Sequence, residues 1–174
     1  MRIAISSKSG CGNTTVSTLL SEKLGYPMVN FTFRQMAQER GVDFWTFCKM
    51  AEDDYEIDKE LDRRQVEMAM EKKDCILASR LAIWMLEKAD LKVYLTATAE
   101  IRAQRVYKRE GGSLEDRYKE TVRRDENDTN RYKTIYGIDN TKPEKVADLI
   151  IATDQKTPEE IVSLIIEEVR KKTL

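Results

Sequence analysis

Histidine is absent from this sequence of 174 residues, and cysteine and proline occur only three times each. Without an imidazole, catalytic triads, histidine acid–base catalysis and most zinc sites are excluded. The cysteines Cys11, Cys48 and Cys75 are widely spaced and form no Cys-x-x-Cys pattern, which argues against a disulfide framework. Reduced thiols are typical of a protein that stays inside the cell.

Long apolar runs are also missing, since no stretch approaches the roughly 18 residues that a membrane span requires. Residues 1–5 are too few for a signal peptide, so we expect a cytoplasmic protein with no membrane partner. Thirty Lys and Arg residues against 31 Asp and Glu residues give a net charge of −1, so no overall positive charge attracts nucleic acid. We expect residues 1–174 to form one globular domain and to act as a monomer.

Short apolar runs alternate with longer segments of helical pattern. One such segment carries Val16, Leu20 and Leu24 at helical spacing, with Gly25 as a stop signal. This alternation predicts an α/β fold with a five-stranded parallel sheet and helices on both faces. The expected strands are residues 2–6, 27–31, 75–79, 91–97 and 147–153. Residues 32–73 and 105–118 are predicted to be insertions on this core.

The segment SSKSGCGNTT (residues 6–15) follows the first expected strand and resembles the phosphate-binding motif G-x-x-x-x-G-K-[ST]. Two glycines let the backbone point several amides at one anion, and the start of the next helix adds a partial positive charge. A hydroxyl at Thr14 is suited to the Mg²⁺ that accompanies ATP. The alternative is a plain glycine-rich turn. The candidate ATP-binding residues are Ser7, Lys8, Ser9, Gly10, Cys11, Gly12, Asn13, Thr14 and Thr15.

This loop departs from the motif at two positions, since Ser7 replaces the first glycine and Asn13 replaces the lysine. That lysine normally balances charge on the β- and γ-phosphates. We hypothesise that Lys8 supplies the charge instead; phosphate loops of the arsenite-pump and cell-division ATPase type carry an extra lysine at this place. The alternative is that Lys8 is an ordinary surface charge. Cys11 is interpreted as a small filler, or else as a thiol activated by the helix N-terminus.

Arginines are concentrated late in the chain, and Gly111 and Gly112 separate two arginine-bearing helical segments. Phosphoryl transfer depends on cations that close over the phosphates, and paired glycines suit the hinge of such a lid. The alternative is that these arginines pair with acids one helical turn away. The arginines in question are Arg102, Arg105, Arg109, Arg117, Arg123, Arg124 and Arg131.

Several short segments of the sequence, in the same order, resemble those of the cytidylate kinases, particularly the short form typical of archaea and some bacteria. The resemblance extends from residue 1 to about residue 165 and is far more specific than the loop alone. The matching words are FRQMAQERG (33–41), AEDDYEIDKELDRRQ (51–65), SRLAIWM (79–85), DLKVYLTATAEIRAQRVYKREG (90–111) and RRDENDTNRYKTIYGID (123–139).

The resemblance implies a P-loop NTPase-like three-layer α/β/α fold, with a helical insertion near 32–73 that binds the nucleoside monophosphate (NMP) and a lid near 105–120. It implies transfer of phosphate from ATP to CMP or dCMP with Mg²⁺, and nucleotides as partners. Arg105 and Arg109 would act from the lid beside Lys8 and Asn13. The implied NMP-binding residues are Arg34, Asp58, Arg80, Arg124, Asp128 and Arg131, with Asp128 contacting the pyrimidine and Asp58 a weaker candidate for the base.

A third departure lies before Arg80, where Ala78 and Ser79 replace the family's acidic residue and glycine. The lost carboxylate normally steadies magnesium-bound water. The alternatives to a CMP kinase are therefore a kinase for another small phosphate acceptor, or a catalytically silent nucleotide-binding protein. Both tryptophans are expected to pack in apolar cores, Trp84 within the main domain and Trp45 within the insertion.

Overall fold

The computed structural model describes residues 1–173. Its centre is a sheet of five parallel strands in the order β2-β3-β1-β4-β5, which confirms the predicted α/β class. The strands are β1 (Arg2–Ser7), β2 (Met28–Val29), β3 (Cys75–Ala78), β4 (Leu91–Thr96) and β5 (Leu149–Ala152).

Helices cover both faces of the sheet and form the two insertions. Two long polar helices meet at the turn formed by residues 111–113, where Gly111 and Gly112 have positive φ angles. The segment between β3 and β4 forms a helix of only four residues. The helices are α1 (Asn13–Leu24), α2 (Phe33–Glu39), α3 (Phe44–Asp53), α4 (Tyr55–Met70), α5 (Ala82–Met85), α6 (Ala99–Glu110), α7 (Leu114–Tyr136) and α8 (Pro158–Thr173), with a 3-10 turn at Pro143–Lys145.

The middle strand β1 pairs with β3 and β4, and the loop that follows it lies at the carboxyl edge of the sheet. Ile3, Ala4 and Ile5 are completely buried, as expected for a strand covered on both faces. Ile5 pairs with Ala78 of β3 on one side and with Val93 of β4 on the other. Because the three strands are parallel, their carboxyl ends meet at one edge of the sheet, where ligands bind in such folds.

The insertion between β2 and β3 has its own small core. Phe47 is completely buried there, in contact with residues of α2 and α4. Side chains of Thr32, Asp43 and Asp54 cap the three helices by accepting backbone N–H bonds, which satisfies amides that a helix start leaves without partners. Across residues 1–173, every helix is too short or too polar to cross a membrane.

Candidate functional site at the edge of the sheet

The loop between β1 and α1 turns at two glycines. Gly10 and Gly12 have φ angles of 81° and 90°, a region that side chains rarely adopt. A Cβ atom on Gly10 would lie 2.9 Å from the Cβ of Arg102, so α6 packs directly against the loop. Glycine is therefore required at position 10 both for the backbone angle and for this contact. The helix α1 begins immediately afterwards, with its free amides at the loop.

Three successive carbonyl oxygens of this loop are held from behind by α6 and by the end of β5. In a trans peptide the C=O of one residue and the N–H of the next point in opposite directions, and the described chain has no cis bond. The N–H groups of the residues that follow these three carbonyls therefore face the open side of the loop, where an anion would sit. The donors are Arg102 Nη1 to Ser9 (3.2 Å), Arg105 Nη1 to Gly10 (3.2 Å) and Thr153 Oγ1 to Cys11 (3.3 Å).

The open side of the loop is a cavity of about 310 Å³, called here the loop cavity. Loop residues line it together with Ala78, Ser79, Arg80 and Arg109. Thr14 is exposed in the first turn of α1 and lines the same cavity. Among residues 1–173 no cluster of His, Cys, Asp or Glu side chains is arranged to hold a metal ion. The hydroxyl of Thr14 still fits a Mg²⁺ whose other ligands are nucleotide and water oxygens.

Asn13 and Lys8 occupy different parts of this cavity. The Oδ1 atom of Asn13 accepts a hydrogen bond from the buried Ser17 hydroxyl at 3.0 Å, which leaves its NH₂ group to donate. Lys8 is about one-third exposed, and its Nζ lies 3.4 Å from Oδ2 of Asp125 on α7. The structure thus places the lysine ammonium beside the loop, held by a carboxylate of another helix.

Asp125 also binds the buried side chain of Arg102. Two hydrogen bonds of 3.0 Å and 2.6 Å join the guanidinium to the carboxylate, the forked geometry that is strongest for this pair. One carboxylate therefore connects α7, α6 and the loop. The nearby Cys11 is 2% exposed, and burial raises the pKa of its thiol. This supports the interpretation of Cys11 as a small filler over the alternative of an activated thiol.

Arg105 and Arg109 lie one turn apart on α6 but have different surroundings. Arg105 donates to the carbonyl oxygen of Thr153 at 2.8 Å besides its bond to the loop, so its guanidinium is committed to the backbone. Arg109 is exposed at the mouth of the loop cavity and contacts Glu110 at 2.5 Å. Both arginines also line a cavity of about 360 Å³ on the outer side of the loop.

A larger cleft of about 790 Å³ lies between α4 and α7, and we call it the α4–α7 cleft. Arg80 of this cleft forms an ion pair with Asp128, and Arg131 forms one with Asp58. All four side chains were predicted as NMP-binding residues, and the fold brings them together. Burial raises the pKa values of both carboxyl groups, although the arginines oppose the shift.

Two other predicted NMP-binding residues do not line this cleft. Arg34 is exposed on α2 and stacks over the ring of Phe44 at 4.3 Å. Arg124 lies near Arg80, and desolvation together with this like charge lowers its pKa. Neither of them lines the loop cavity or the α4–α7 cleft, and their roles stay predictions.

Sequence reasoning missed the group formed by Asp62, Tyr132 and Tyr136. The Tyr136 hydroxyl donates to Asp62 Oδ2 at 2.5 Å. Burial raises the pKa of Asp62 to about 6 and that of Tyr132 to about 12. Asp62 follows Asp58 by one helical turn, so both side chains share one face of α4; this spacing could have indicated the second carboxylate.

Solved structures with similar folds include kinases and an uncharacterised protein. The uncharacterised protein from Eubacterium ventriosum matches with a TM-score of 0.71 at 17% identity, covering 98% of both chains. Shikimate kinase from Acinetobacter baumannii matches with a TM-score of 0.64 at 19% identity, covering 99% of this chain and 94% of that one. At these identities the likeness shows the fold alone, and it confirms the predicted P-loop NTPase-like architecture.

Sequence relatives are considerably closer. "Cytidylate kinase 2" of Borreliella afzelii is 43% identical, covering 100% of this chain and 99% of the relative. "Cytidylate kinase" of Pyrococcus abyssi is 41% identical, covering 94% of this chain and 90% of the relative. The cytidylate kinase-like family itself matches residues 2–155. The chain therefore belongs to the cytidylate kinase-like family.

Proposed function

We propose that this protein is a nucleoside monophosphate kinase that transfers the γ-phosphoryl group of ATP to CMP or dCMP, giving ADP and CDP or dCDP. The observation that carries the proposal is that the loop cavity and the α4–α7 cleft share Ser79 and Arg80. A donor phosphate held by the loop and an acceptor phosphate held in the cleft would meet at these two residues. Family membership and the names of the relatives support the choice of reaction.

On the donor side, the loop amides and the first turn of α1 would hold the β- and γ-phosphates. The outer cavity beside Arg105 offers space for the rest of the donor nucleotide. Mg²⁺ bound to ATP neutralises phosphate charge, and Thr14 would be its protein ligand. Arg109 is exposed at the cavity mouth and can reach the transferred group when the proposed lid (about 105–120) closes.

On the acceptor side, Arg80 and Arg131 would exchange their carboxylate partners for the phosphate of the monophosphate. Guanidinium groups bind phosphate in the same forked manner as they bind carboxylates. Arg34 and Arg124 are proposed to approach the nucleotide when the insertion (about 32–73) closes over it. Asp58 and Asp128 would then lie beside the phosphate-bound arginines, at the side of the cleft that faces the nucleoside. Transfer needs no separate base, because the attacking group is already an anionic phosphate oxygen.

The charge that Asn13 fails to supply would come from Lys8. Lys8 lines the loop cavity and its Nζ lies 3.4 Å from Asp125, so its ammonium is beside the cavity proposed to hold the phosphates. Asn13 keeps a hydrogen-bond donor directed away from Ser17. We expect Lys8→Ala to reduce kcat by roughly ten- to hundredfold, since this is the usual value of a charged contact to the transferred group. Lys23→Ala, an exposed lysine at the end of α1, is the matched control.

A coupled ADP-release assay with ATP and Mg²⁺ tests the function across CMP, dCMP, UMP and AMP. We expect turnover with CMP or dCMP that far exceeds the rate without acceptor. Turnover with AMP or UMP but with neither CMP nor dCMP would favour a kinase for a different phosphate acceptor. ATP binding in a calorimeter without turnover of any acceptor would instead favour the silent nucleotide-binding protein.

A further inference from the structure

Three carboxylates on two facing helices line the α4–α7 cleft, and a fourth, the exposed Glu52 of α3, lies at its surface. Asp58 and Asp62 lie one turn apart on α4, and Asp128 lies on α7. Any of them is able to accept a hydrogen bond from a bound nucleoside, because an ionised carboxylate is an acceptor only. Their partners in the structure decide which of them has that capacity to spare.

Asp58 and Asp128 are already engaged with cations. Arg131 contacts the Oδ2 atom of Asp58, and Arg80 contacts the Oδ2 atom of Asp128. These two arginines would have to leave their carboxylates before either acid could face a ligand. Even after that exchange, each acid would remain beside a cation and a bound phosphate.

Asp62 has different surroundings. Its Oδ2 atom accepts the Tyr136 hydroxyl, and in the part of the chain that the structure describes no Lys or Arg forms an ion pair with it. Its Oδ1 atom has no hydrogen-bond partner among residues 1–173. Every fully buried polar side-chain atom in that range has a partner, so Oδ1 is not fully buried. Since Asp62 lines the cleft, Oδ1 is open to it. Asp62 lines the cleft but not the loop cavity, which places it away from the point of transfer.

We propose that Asp62, held in orientation by Tyr136, is the specificity-determining residue that accepts a hydrogen bond from the exocyclic amine of the acceptor base. This inference rests on the proposed function and identifies the residue that selects its acceptor. Tyr136 is a positioning residue, because its hydroxyl fixes one carboxylate oxygen and leaves the other for the ligand.

The chemistry of the two pyrimidines explains the selection. Cytosine presents an amine at the position where uracil presents a carbonyl oxygen. A carboxylate accepts from the amine but repels the carbonyl, and a site built for a hydrogen bond strongly rejects a ligand that leaves it unmade. We expect CMP to be preferred over UMP by roughly ten- to hundredfold, the usual discrimination of a well-formed polar pair.

The state of charge of Asp62 gives a second signature. Burial raises its pKa to about 6, the nearby Asp58 also raises it, and the Tyr136 hydrogen bond lowers it. Once protonated, the carboxyl group can donate to the uracil carbonyl, so the preference for CMP should weaken below about pH 6. The other titratable or charged groups that line the cleft are Cys48, Glu52, Tyr55, Asp58, Arg80, Asp128, Arg131 and Tyr132.

The test measures CMP and UMP affinities by calorimetry, and kcat/KM for both where turnover occurs, in the wild type and Asp62→Asn. The amide can turn its NH₂ group toward uracil, so the variant should lose CMP affinity, gain UMP affinity and retain little preference. Tyr136→Phe should lower the preference by a smaller factor, about threefold to tenfold. Glu56→Gln, an exposed acid of α4 outside the cleft, is the control and should keep the wild-type ratio. Thermal unfolding establishes that each variant is folded.

The ratio of CMP to UMP should fall as the pH is lowered through 6 in the wild type and stay flat in Asp62→Asn. Both ligands carry the same phosphate, so its own titration cancels in the ratio. An unchanged ratio in Asp62→Asn, or a loss of the ratio only in Asp58→Asn or Asp128→Asn, would overturn the inference. Wild-type binding of CMP without phosphoryl transfer would overturn the proposed function alone, and equal binding of CMP and UMP would overturn the inference alone.

Discussion

The loop cavity and the α4–α7 cleft lie side by side but depend on different parts of the chain. In the loop cavity, three backbone carbonyls are fixed by hydrogen bonds from Arg102, Arg105 and Thr153, so the backbone of the loop is held in place. In the α4–α7 cleft, side chains of opposite charge neutralise one another across the cleft, as in Arg80–Asp128. In the proposed function, the donor half thus relies on backbone that is already in place, and the acceptor half on side chains that would have to change partners.

If the loop binds phosphate as proposed, this difference would let it tolerate the loss of the motif lysine. Backbone amides are present whatever side chain follows them, and the positive end of α1 depends on the helix alone. Asn13 therefore costs the site one charge without disturbing the cradle. In the cleft each function depends on one side chain, so a single substitution removes it.

The largest expected effect comes from removing the arginine that the two regions share. Arg80→Ala deletes the guanidinium that would bind the acceptor phosphate and leaves Asp128 without its cation. We expect kcat/KM for CMP to fall about a hundredfold to a thousandfold, with KM rising, because charged forked hydrogen bonds are the strong ones. Steady-state kinetics measure this. Arg170→Ala, an exposed arginine of α8, is the control and should stay within about twofold of the wild type.

Substitution of a loop glycine tests whether the proposed donor half depends on the conformation of its backbone. Gly10→Ala would place its Cβ 2.9 Å from the Cβ of Arg102 and 3.1 Å from its carbonyl oxygen, at a φ of 81°. We expect a loss of roughly 2–3 kcal/mol in the free energy of unfolding from strain and overpacking, together with weaker ATP binding. Urea denaturation and calorimetry measure the two effects.

Gly25→Ala separates the two causes, because Gly25 has a φ of 68° but no neighbour within 4 Å of the position that an alanine Cβ would take. It should cost only about 1 kcal/mol and leave ATP binding unchanged. Equal effects of the two substitutions would show that the contact between the loop and α6 contributes nothing.

The sequence was sufficient for the strands and for the loop because both depend on local patterns. Completely buried strands such as β1 are continuous apolar runs, and the loop glycines fall at fixed spacings. The segments that resemble the family also predicted that Arg80 and Asp128 belong to one NMP-binding site. What these patterns could not supply was the partner of each side chain, since Asp62 and Tyr136 are 74 residues apart and meet only when α4 packs against α7.

Trp45 shows the same limit in a local setting. It was expected to pack in the insertion core with its aromatic neighbours, and that prediction is wrong, because the side chain is 76% exposed while Phe47 is completely buried. The register of α3 turns Phe47 inward and leaves Trp45 on the outside. For Trp84 the prediction is confirmed, since its ring packs edge-on against Tyr94 at 5.9 Å in the main domain.

A smaller effect is expected on stability when the cleft loses its buried acid. The native pKa of Asp62 is about 6, above the value of about 3.9 in an unfolded chain. Between pH 4 and 6 the native state therefore binds more protons than the unfolded state, and stability falls as pH rises through that window. Asp62→Asn should raise the free energy of unfolding at pH 7 by about 1–2 kcal/mol, allowing for partial exposure of the group.

The same variant should show no such gain below pH 4, where Asp62 is protonated in both states. Urea denaturation at pH 4 and pH 7 measures the difference. A variant that is less stable than the wild type at pH 7 would mean that the hydrogen bond from Tyr136 outweighs the cost of burying the charge.

The smallest effect is expected at the rim of the insertion. Trp45→Phe changes an exposed side chain whose ring meets that of Phe44 edge-on, with ring centroids 5.2 Å apart, and should change the free energy of unfolding by less than about 0.5 kcal/mol. Trp84 is then the single remaining tryptophan, so fluorescence of the variant reports the main domain alone.

Fluorescence that changes on adding CMP in the wild type but not in Trp45→Phe would place the motion in the insertion, as expected if the acceptor half rearranges. An identical change in both proteins would move that rearrangement to the sheet edge near Trp84 and would remove the contrast between a fixed donor half and a mobile acceptor half.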